Sequence, residues 1–298
     1  MSAALWLDVD ALAAQVPDGA SVTVHKGDEP DVPMALARAL IRRGVRRLHL
    51  VTLPTAAYPA SGMMVDLLIG AGCVASVETS GISLHELGAA PRFSQAVKTG
   101  RLKVIDATCP AVYAGLQAGA KGQPFAPLRG LVGSDIQRHR ADYRVIANPF
   151  AAPGTLPVDG VTDPIVLVPA INADVAIFHV AKVDAEGNAW IGRDRDRLLA
   201  AHAANTVLVT AEAQVPGCFF DDEALAAGVI PAPYITAIAL APGGCAPMGL
   251  DGRTDLDAVR RYQQAALSDE GFAEYLRREV YGERAVEHSD AGTAGARA

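Results

Sequence analysis

Apolar runs of strand length alternate with amphipathic helical stretches along most of the 298-residue chain. Strands that are continuously apolar and separated by helices are typical of a mostly parallel sheet that is buried on both faces. The pattern therefore predicts an α/β fold, an open, mostly parallel sheet with helices on both faces. The predicted strands are 20–25, 46–52, 73–79, 101–107, 164–170, 175–183, 206–215 and 234–242. The predicted helices are 33–44, 62–72, 90–100, 111–122 and 194–205.

One segment interrupts this alternation. Residues 122–160 are rich in glycine and proline and are long for an interior loop, which predicts a functional excursion or a partner-binding segment. We expect residues 1–288 to form a single domain. The small, polar residues 289–298 are expected to be a disordered tail.

Composition excludes several classes of protein. Half of the residues are hydrophobic and the formal net charge is -7, so the chain has no basic footprint for nucleic acid. The four cysteines form no C-x-x-C pair, and no histidine cluster at zinc spacing accompanies them, so no metal site is predicted. No apolar run reaches membrane-spanning length, and the first residues lack the positive charge of a signal peptide. We expect a cytoplasmic protein with no nucleic-acid or membrane partner.

The first candidate for a ligand site is the stretch VTVHKGDEPDVPMALARAL, a strand followed by a polar loop and a helix. Such a loop can direct backbone N–H groups and a helix N-terminus at an anion. His25, Lys26 and Gly27 would then lie closest to a bound substrate. The alternative is an ordinary loop with solvated charges. The Gly-x-Gly at 70–72 ends a helix and precedes a strand, the reverse of a dinucleotide fingerprint, so NAD binding is excluded.

Two further strand ends carry small polar side chains. Ser80, Gly81 and Ser83 follow one strand as candidate substrate-binding residues, although Ser83 also fits the capping box of a helix. Asp106 and Cys109 follow the next strand as candidate catalytic residues, with Cys109 at a helix N-terminus that can lower a thiol pKa. The alternative for Cys109 is a small buried hydrophobic residue.

These candidates share one geometric property. The carboxyl ends of parallel strands lie at one edge of a sheet, so the loops at Lys26, Ser80 and Cys109 are expected to converge on one pocket. Within that pocket, Lys26 could pair with a carboxylate of the substrate. His139, between two arginines, is expected at the surface, and His179, inside an apolar strand, in the core.

Several stretches, taken in order, resemble the A subunit of heteromeric family I CoA-transferases of the glutaconate CoA-transferase type. They are the Gly27–Leu36 loop, VDLLIGAGCV, ELGAAPRFSQAVKTGRLKV, AGLQAGAKGQPFAPLRGLVGSD and FHVAKVDAEGNAWIG. The resemblance implies that the partner is a homologous B subunit, in a heterodimer or heterotetramer, with the site between the two chains. It also implies acyl-CoA and a carboxylic acid as substrates, with CoA as a substrate and no redox or metal cofactor.

In this family a glutamate of the B subunit, in a Glu-Asn-Gly context, attacks the acyl-CoA carbonyl. Here the order is Glu186-Gly187-Asn188, which matches the turn of A subunits, so Glu186 is expected to be a turn residue rather than a nucleophile. The family loop Gly-Gly-Phe-Gly is replaced by His25-Lys26-Gly27-Asp28. This departure implies a polar or carboxylated acyl group, or altered chemistry.

The resemblance extends to the α subunits of steroid ring-opening hydrolases, which cut a carbon–carbon bond in a CoA thioester. A glutamate is functional there near the position of Thr108-Cys109-Pro110, where Asp106 is the nearest acid of this chain. The sequence therefore predicts the A subunit of a CoA-transferase that acts on a short or medium organic acid. A hydrolase or C–C bond-cleaving enzyme on a CoA thioester is the first alternative, and a non-catalytic scaffold subunit is the second.

Overall fold

A ten-stranded, mostly parallel sheet forms the centre of the protein in the computed structural model, which describes residues 4–282. The expected tail at 289–298 lies outside the described residues. The strands are β1 Leu5–Leu7, β2 Ser21–His25, β3 Leu48–Leu53, β4 Val74–Thr79, β5 Lys103–Asp106, β6 Phe125–Leu128, β7 Arg144–Ala147, β8 Pro157–Val158, β9 Val161–Thr162, β10 Pro164–Pro169, β11 Ala173–Val183, β12 Ala189–Trp190, β13 Ala204–Gln214, β14 Val229–Ile230 and β15 Ala237–Leu240. The helices are α1 Val9–Ala14, α2 Met34–Arg43, α3 Pro59–Gly70, α4 Pro91–Lys98, α5 Cys109–Ala120, α6 Asp135–His139, α7 Arg195–His202, α8 Glu223–Ala226, α9 Leu256–Ala265 and α10 Asp269–Tyr275.

Helices cover both faces of the sheet, as predicted. One buried cluster joins one face to α1–α4, α9 and α10 through residues such as Leu40, Met64 and Tyr262. A second cluster joins the opposite face to α5 and α7 through residues such as Leu116 and Phe178. Because strands covered on both faces need apolar side chains on both faces, the continuous apolar runs of the sequence follow from this architecture.

The strand order reverses once within the sheet. The order is β1-β15-β13-β11-β2-β3-β4-β5, with parallel neighbours throughout this path. The chain therefore builds outward from β2 in one direction and from β11 in the other. Open α/β sheets bind ligands at such a reversal, in the crevice outside the carboxyl ends of the strands. In this protein the reversal lies between β2 and β11.

The excursion is a small folded unit rather than a loop. β10, which the sequence placed in the main sheet, instead pairs antiparallel with β6 and β7 in a separate three-stranded sheet, so that placement was wrong. β8 and β9 form a two-stranded hairpin within the same segment. This unit, the insert (residues 122–169), packs on α5, where Tyr143 and Val166 bury Ala111.

The pattern did not predict β1, α1, α9 or α10. α9 and α10 cover α3, where Tyr262 donates a 2.7 Å hydrogen bond to the buried Asp66. The longest helices, α3 and α5, have 12 residues, and within residues 4–282 no helix is long and apolar enough to span a bilayer.

Candidate functional site

His25 ends β2 at the reversal of the strand order and is held by two carboxylates. Its Nδ1 lies 2.8 Å from Asp31 Oδ2 and 3.6 Å from Asp194 Oδ2, and its side chain is only 1% exposed. Burial acts to raise the pKa of Asp194, but His25 and Arg197 outweigh it and hold that pKa below its usual value. His25 is therefore a buried anchor for the loop that follows it, whereas the sequence placed it against the substrate.

Lys26, the next residue, lies in the loop outside the sheet and is already paired. Its ammonium is 3.0 Å from Asp28 and 3.5 Å from Asp196. Partial burial acts to lower the pKa of Lys26, but the hydrogen bond to Asp28 and the charge of Asp196 outweigh it and raise the pKa. Lys26 is thus a cation at every physiological pH, balanced by two carboxylates of its own chain.

Gly27 lies where this loop packs against α3. Its φ is +79°, and a Cβ atom here would lie 2.8 Å from Ser61 Cβ and from Val32 Cγ2. The Ser61 hydroxyl also donates a hydrogen bond to the Lys26 carbonyl. A larger residue would be strained by both its backbone conformation and the contact, so glycine is required to set the loop against the helix.

The ends of β4 and β5 meet at Ser80 and Cys109. The Ser80 hydroxyl is 3.5 Å from Cys109 Sγ, and both side chains are exposed. Gly81 is tied to the end of β3, because its carbonyl accepts a 2.7 Å hydrogen bond from Thr55. Ser83 Oγ accepts from the backbone N–H of His85, 3.3 Å away, but the short 3-10 turn that follows has Leu84 as its N-cap residue and no side-chain cap, so the capping box does not form. Cys109 is the first residue of α5, as predicted.

Tyr113 connects Cys109 with the Lys26 loop. It lies one turn beyond Cys109 on α5 and donates a 2.7 Å hydrogen bond to Asp196, the carboxylate that also pairs with Lys26. Burial and the Asp196 carboxylate raise the pKa of Tyr113, so its hydroxyl stays protonated as a donor. The three predicted loops therefore lie at one edge of the sheet, and Asp196 and Tyr113 are polar groups there that the sequence did not single out.

Asp106 lies at the same sheet edge but takes part in a different set of contacts. It lines a cavity of 500 Å³ together with Glu78 and Arg140, and Cys109 is not part of that lining. Its backbone carbonyl accepts a 3.0 Å hydrogen bond from Arg140, which also donates to Glu78 at 2.8 Å. Asp106 and Cys109, which the sequence analysis proposed together as candidate catalytic residues, therefore contact different parts of the protein.

Glu186 occupies the predicted turn. Asp184 Oδ1 accepts from the backbone N–H groups of Glu186 at 3.0 Å and Asn188 at 2.9 Å, and Gly187 has a φ of +87°. Val175 of β11 pairs with Val22 of β2, so the last residue of β2, His25, is level with Phe178. β11 continues for five more residues, to Val183. At 3.3 Å per residue this carries the turn about 16 Å beyond the end of β2. The exposed Glu186 carboxylate lies 3.2 Å from Cys218 Sγ, away from Lys26.

A second buried cluster lies on the other side of the crevice. His179, expected in the core, is fully buried on β11 and contacts Glu212 of β13, while Cys245 of the loop after β15 lies beside them. Their ligand atoms lie within 4.8 Å of one another, as do those of His25, Asp31 and Asp194. Sequence reasoning missed Asp31, Asp194, Glu212 and Cys245 as functional candidates, because their partners are distant along the chain and no local spacing marks them.

A larger cavity, of 830 Å³, lies between α2, α3, α9, α10 and the loop after β15. Its charged lining is mixed and includes Arg38, Arg278, Asp255 and Glu279. It reaches Gly243, whose N–H donates a 2.6 Å hydrogen bond to Glu212. This cavity therefore opens toward the second cluster rather than toward Lys26.

Comparison with known proteins identifies the family. The sequence model of the coenzyme A transferases matches residues 8–241, which include every strand of the main sheet except β1. The chain belongs to the coenzyme A transferase family. Within this family it is of the family I A-subunit type. It is 29% identical over 263 residues to the A subunit of the 3-oxoadipate CoA-transferase of Pseudomonas knackmussii, covering 86% of this chain and 84% of that one.

Other relatives broaden the comparison. A protein of Archaeoglobus fulgidus is 30% identical over 284 residues, which are 92% of this chain but only 58% of that protein. The cholesterol ring-cleaving hydrolase IpdA subunit of Mycobacterium tuberculosis is 26% identical over 275 residues, with 90% of each chain covered.

Two solved structures share the fold. A variant of the decarboxylase AibA/AibB superposes with a TM-score of 0.76 at 27% identity, covering 94% of this chain and 100% of that chain. Glutaconate CoA-transferase of Acidaminococcus fermentans superposes with a TM-score of 0.78 at 23% identity, covering 94% and 89%, and shows the fold alone.

Proposed function

We propose that this chain is the A subunit of a two-component enzyme that transfers CoA from an acyl-CoA to a carboxylic acid. The observation that carries the proposal is the family match over residues 8–241 together with the position of Glu186. Asp184 fixes the backbone of Glu186 in the turn after β11, where the Glu186 carboxylate contacts Cys218. The nucleophilic glutamate would accordingly come from a B subunit.

In this reaction the glutamate of the partner attacks the thioester carbonyl and CoA leaves as thiolate. The CoA thiolate then attacks the glutamyl carbonyl of the mixed anhydride, which releases the first acid and leaves a glutamyl-CoA thioester. The acceptor carboxylate attacks this thioester to form a second anhydride, and the displaced CoA thiolate attacks its acyl carbonyl, giving the new acyl-CoA and the free glutamate. The Gly27 loop supports this role for the present chain, because its close packing against Ser61 holds Lys26 in place at the carboxyl edge of the sheet. Ser80 and Cys109 would line the same edge, and we assign Cys109 no covalent step.

The charges at this edge bear on the acyl group. Lys26 is balanced by Asp28 and Asp196, so the three side chains together carry a net negative charge. Lys26 is therefore not free to bind a carboxylated acyl group, and we propose a short or medium acyl chain without a second carboxylate near Lys26. This departs from the expectation that Lys26 binds a substrate carboxylate.

The insert provides the surface that we propose for the B subunit. Phe150 is 90% exposed, Leu156 is 81% exposed and Val158 is 52% exposed, all three within nine residues of the chain. Large apolar side chains exposed together mark interaction sites. We propose a homologous B subunit for this surface, since the similar Pseudomonas protein is named as one subunit of its enzyme and the similar decarboxylase is named for two components.

The function is tested with the chain purified alone and reconstituted with its B subunit. A panel of acyl-CoA donors is offered with and without acceptor acids, and acyl-CoA products are followed by mass spectrometry. Transfer by the pair and none by the chain alone is the expected result. Hydroxylamine trapping during turnover should modify the B subunit, and Glu186→Gln should leave that trapping unchanged. Turnover by the isolated chain at the rate of the pair would contradict the proposal.

A hydrolase or C–C bond-cleaving activity on a CoA thioester is the second candidate. The similarity to the ring-cleaving hydrolase subunit and to the decarboxylase favours it. In the same assay it would release free CoA, or cleave the acyl group, without an acceptor acid. If Asp106 takes the role that a glutamate has in the ring-opening hydrolases, replacing the exposed Asp106 with Asn should abolish this cleavage. The same replacement should leave CoA transfer largely intact.

The partner surface has its own test. Phe150→Ser with Leu156→Ser should prevent co-elution with the B subunit on size exclusion, because two apolar anchors are lost. Leu267→Ser is the matched control, since Leu267 is 67% exposed but lies on the loop between α9 and α10. Loss of co-elution in both variants, or in neither, would argue against the insert as the docking surface.

A further inference from the structure

We propose that His179, Glu212 and Cys245 form a binding site for a divalent transition-metal cation, with zinc as the best match. The three residues come from β11, from β13 and from the loop after β15, so three separate elements converge on one point. Glu212 Oε1 lies 2.9 Å from His179 Nε2 and 3.6 Å from Cys245 Sγ. All three ligand atoms lie within 4.8 Å of one another, the span that a four-coordinate ion can bridge.

The remaining polar atoms of these side chains are held by the protein. His179 Nδ1 lies 2.9 Å from Thr210 Oγ1, and Glu212 Oε2 accepts a 2.6 Å hydrogen bond from the Gly243 N–H. This leaves Nε2, Oε1 and Sγ directed at one another. In metal sites the second nitrogen of a ligating histidine and the second oxygen of a ligating carboxylate are held in this way, which fixes the ligands in place.

The donor set matches zinc. One imidazole nitrogen, one carboxylate oxygen and one thiolate sulfur are ligands that zinc takes, and softer sulfur disfavours magnesium and calcium. A zinc ion with one carboxylate and one thiolate is electrically neutral, which suits a site where Cys245 and His179 are buried. On binding, the Cys245 thiol, which lies 3.1 Å from the Met248 carbonyl, would release its proton to solvent. The Met248 carbonyl oxygen is a candidate for the fourth ligand of the ion.

The site has a route to solvent. The 830 Å³ cavity reaches Gly243 and Met248, both of which contact the cluster, and Glu212 itself is 10% exposed. The neighbouring cluster of His25, Asp31 and Asp194 differs in this respect, because the Arg197 guanidinium already lies 3.1 Å from Asp194. Arg197 is therefore ion-paired with a carboxylate of that cluster, whereas it contacts the second cluster only through the His179 backbone carbonyl.

Local sequence spacing does not mark this site. His179 and Glu212 are 33 residues apart, as are Glu212 and Cys245, so no short zinc motif exists and no metal was predicted. The inference does not depend on the proposed transfer reaction, because a structural ion here would join β11, β13 and the loop after β15 whatever chemistry the protein performs.

The test is metal binding to the full chain. The protein is stripped with chelator, dialysed against zinc or cobalt, and analysed by inductively coupled plasma mass spectrometry and absorption spectroscopy. We expect about one ion per chain, near-ultraviolet sulfur-to-cobalt charge transfer, and a weakening of affinity by about tenfold to a hundredfold in Glu212→Gln, in line with the loss of one supporting or ligating group. Cys245→Ser should abolish the charge-transfer band.

Cys73→Ser is the matched control, since Cys73 is also buried but directly precedes β4 and is not part of the cluster, and it should keep the ion and the band. Circular dichroism establishes that each variant is folded before its metal content is compared. The wild-type measurement decides the case even where a variant does not fold. Absence of bound zinc at saturating concentration, or a charge-transfer band that survives in folded Cys245→Ser, would overturn the proposal.

Discussion

Arg140 of the insert donates a 2.8 Å hydrogen bond to Glu78 of β4, and both side chains are largely buried. The same guanidinium contacts the Asp106 carbonyl and lies over the ring of Tyr143. Arg140 therefore fastens the insert to the ends of β4 and β5. Burial acts to lower the pKa of Arg140, but Asp142 and Glu78 outweigh it and raise the pKa, so the charge is permanent.

Replacing Arg140 with Met should destabilise the protein by about 3–5 kcal/mol, because it leaves Glu78 as an uncompensated, largely buried charge. Urea unfolding measures the loss, and limited proteolysis should show faster cleavage within the insert. Arg138→Met is the control, since the Arg138–Asp135 pair is exposed and such pairs contribute about 0–1 kcal/mol. Equal effects in the two variants would show that Arg140 does not fasten the insert.

Replacing Lys26 with Met should lower kcat/KM by at least about tenfold in the reconstituted pair, a change of about 1.4 kcal/mol. The reason is charge: Asp28 and Asp196 would lose their shared cation and would repel the polyanionic CoA substrate. Steady-state kinetics at low and high salt measure the effect, which salt should reduce.

Two further variants test whether the loss of the Lys26 charge, rather than the loss of its side-chain contacts, lowers kcat/KM. Adding Asp28→Asn to the Lys26→Met variant should recover most of the loss, and Lys98→Met, on the exposed end of α4, should have little effect. If the double variant is no better than Lys26→Met, repulsion by the uncompensated carboxylates is not the cause. Cys109→Ala should cost less than Lys26→Met, because we assign Cys109 no covalent role.

Asp194→Asn should change the response of stability to acid. The pKa of Asp194 is lower in the folded protein than in the unfolded chain, so its ionised form stabilises the fold above the unfolded value of about 3.9. That contribution disappears as the pH falls below about 4, through the folded pKa. Asp194→Asn should therefore be less stable at pH 7 and should lose less further stability between about pH 4 and pH 2 than the wild type.

Urea titrations at about pH 7, 4 and 2.5 provide the comparison, with Asp135→Asn as an exposed control. Parallel pH profiles for the wild type and Asp194→Asn would mean that His25 and Arg197 do not hold the carboxylate in its ionised form.

Thiol labelling should follow burial. Cys109 is exposed, whereas Cys73 and Cys245 are buried and burial raises the pKa of Cys73 to about 11 and of Cys245 to about 12. Iodoacetamide at about pH 8 should therefore alkylate Cys109 in the native protein well before Cys73 or Cys245. Peptide mass spectrometry over a time course measures the order, and the buried thiols should react at comparable rates once the protein is unfolded in urea.

The main sheet could be predicted because each of its long strands is buried on both faces and its apolar run is therefore continuous. The same reasoning misplaced β10, since Pro164–Pro169 is equally apolar but buries its residues against α5 within the insert. A run of apolar residues specifies burial, not the sheet in which the strand lies. α9 and α10 were missed because they follow the last strand and their core contacts are with α3, so no strand–helix alternation marks them.

The candidate site was predictable only where it follows a strand directly. Lys26, Ser80 and Cys109 lie at strand ends, and the parallel pattern alone brings those ends to one edge. Their partners could not be found in this way. Tyr113 lies inside α5 and Asp196 inside α7, and only the packing of these two helices joins them to Cys109 and Lys26. The burial of His25 likewise depends on Asp194, which is 169 positions away in the chain.

The reversal of strand order also coincides with a seam in the sheet where two long strands share few ladder pairs. β2 and β11 share two register pairs, Val22 with Val175 and Thr23 with Ala176, whereas β2 and β3 share five and β11 and β13 share nine. Beyond these pairs the two halves are joined by other hydrogen bonds, including Ser21 with Asp174 and the Asp31 carbonyl with the His179 N–H. Amide hydrogens along this seam should exchange faster than those in either half, because fewer ladder bonds must break to expose them. The line where the strand order reverses, beside which His25 lies, is thus expected to be the part of the main sheet that opens first.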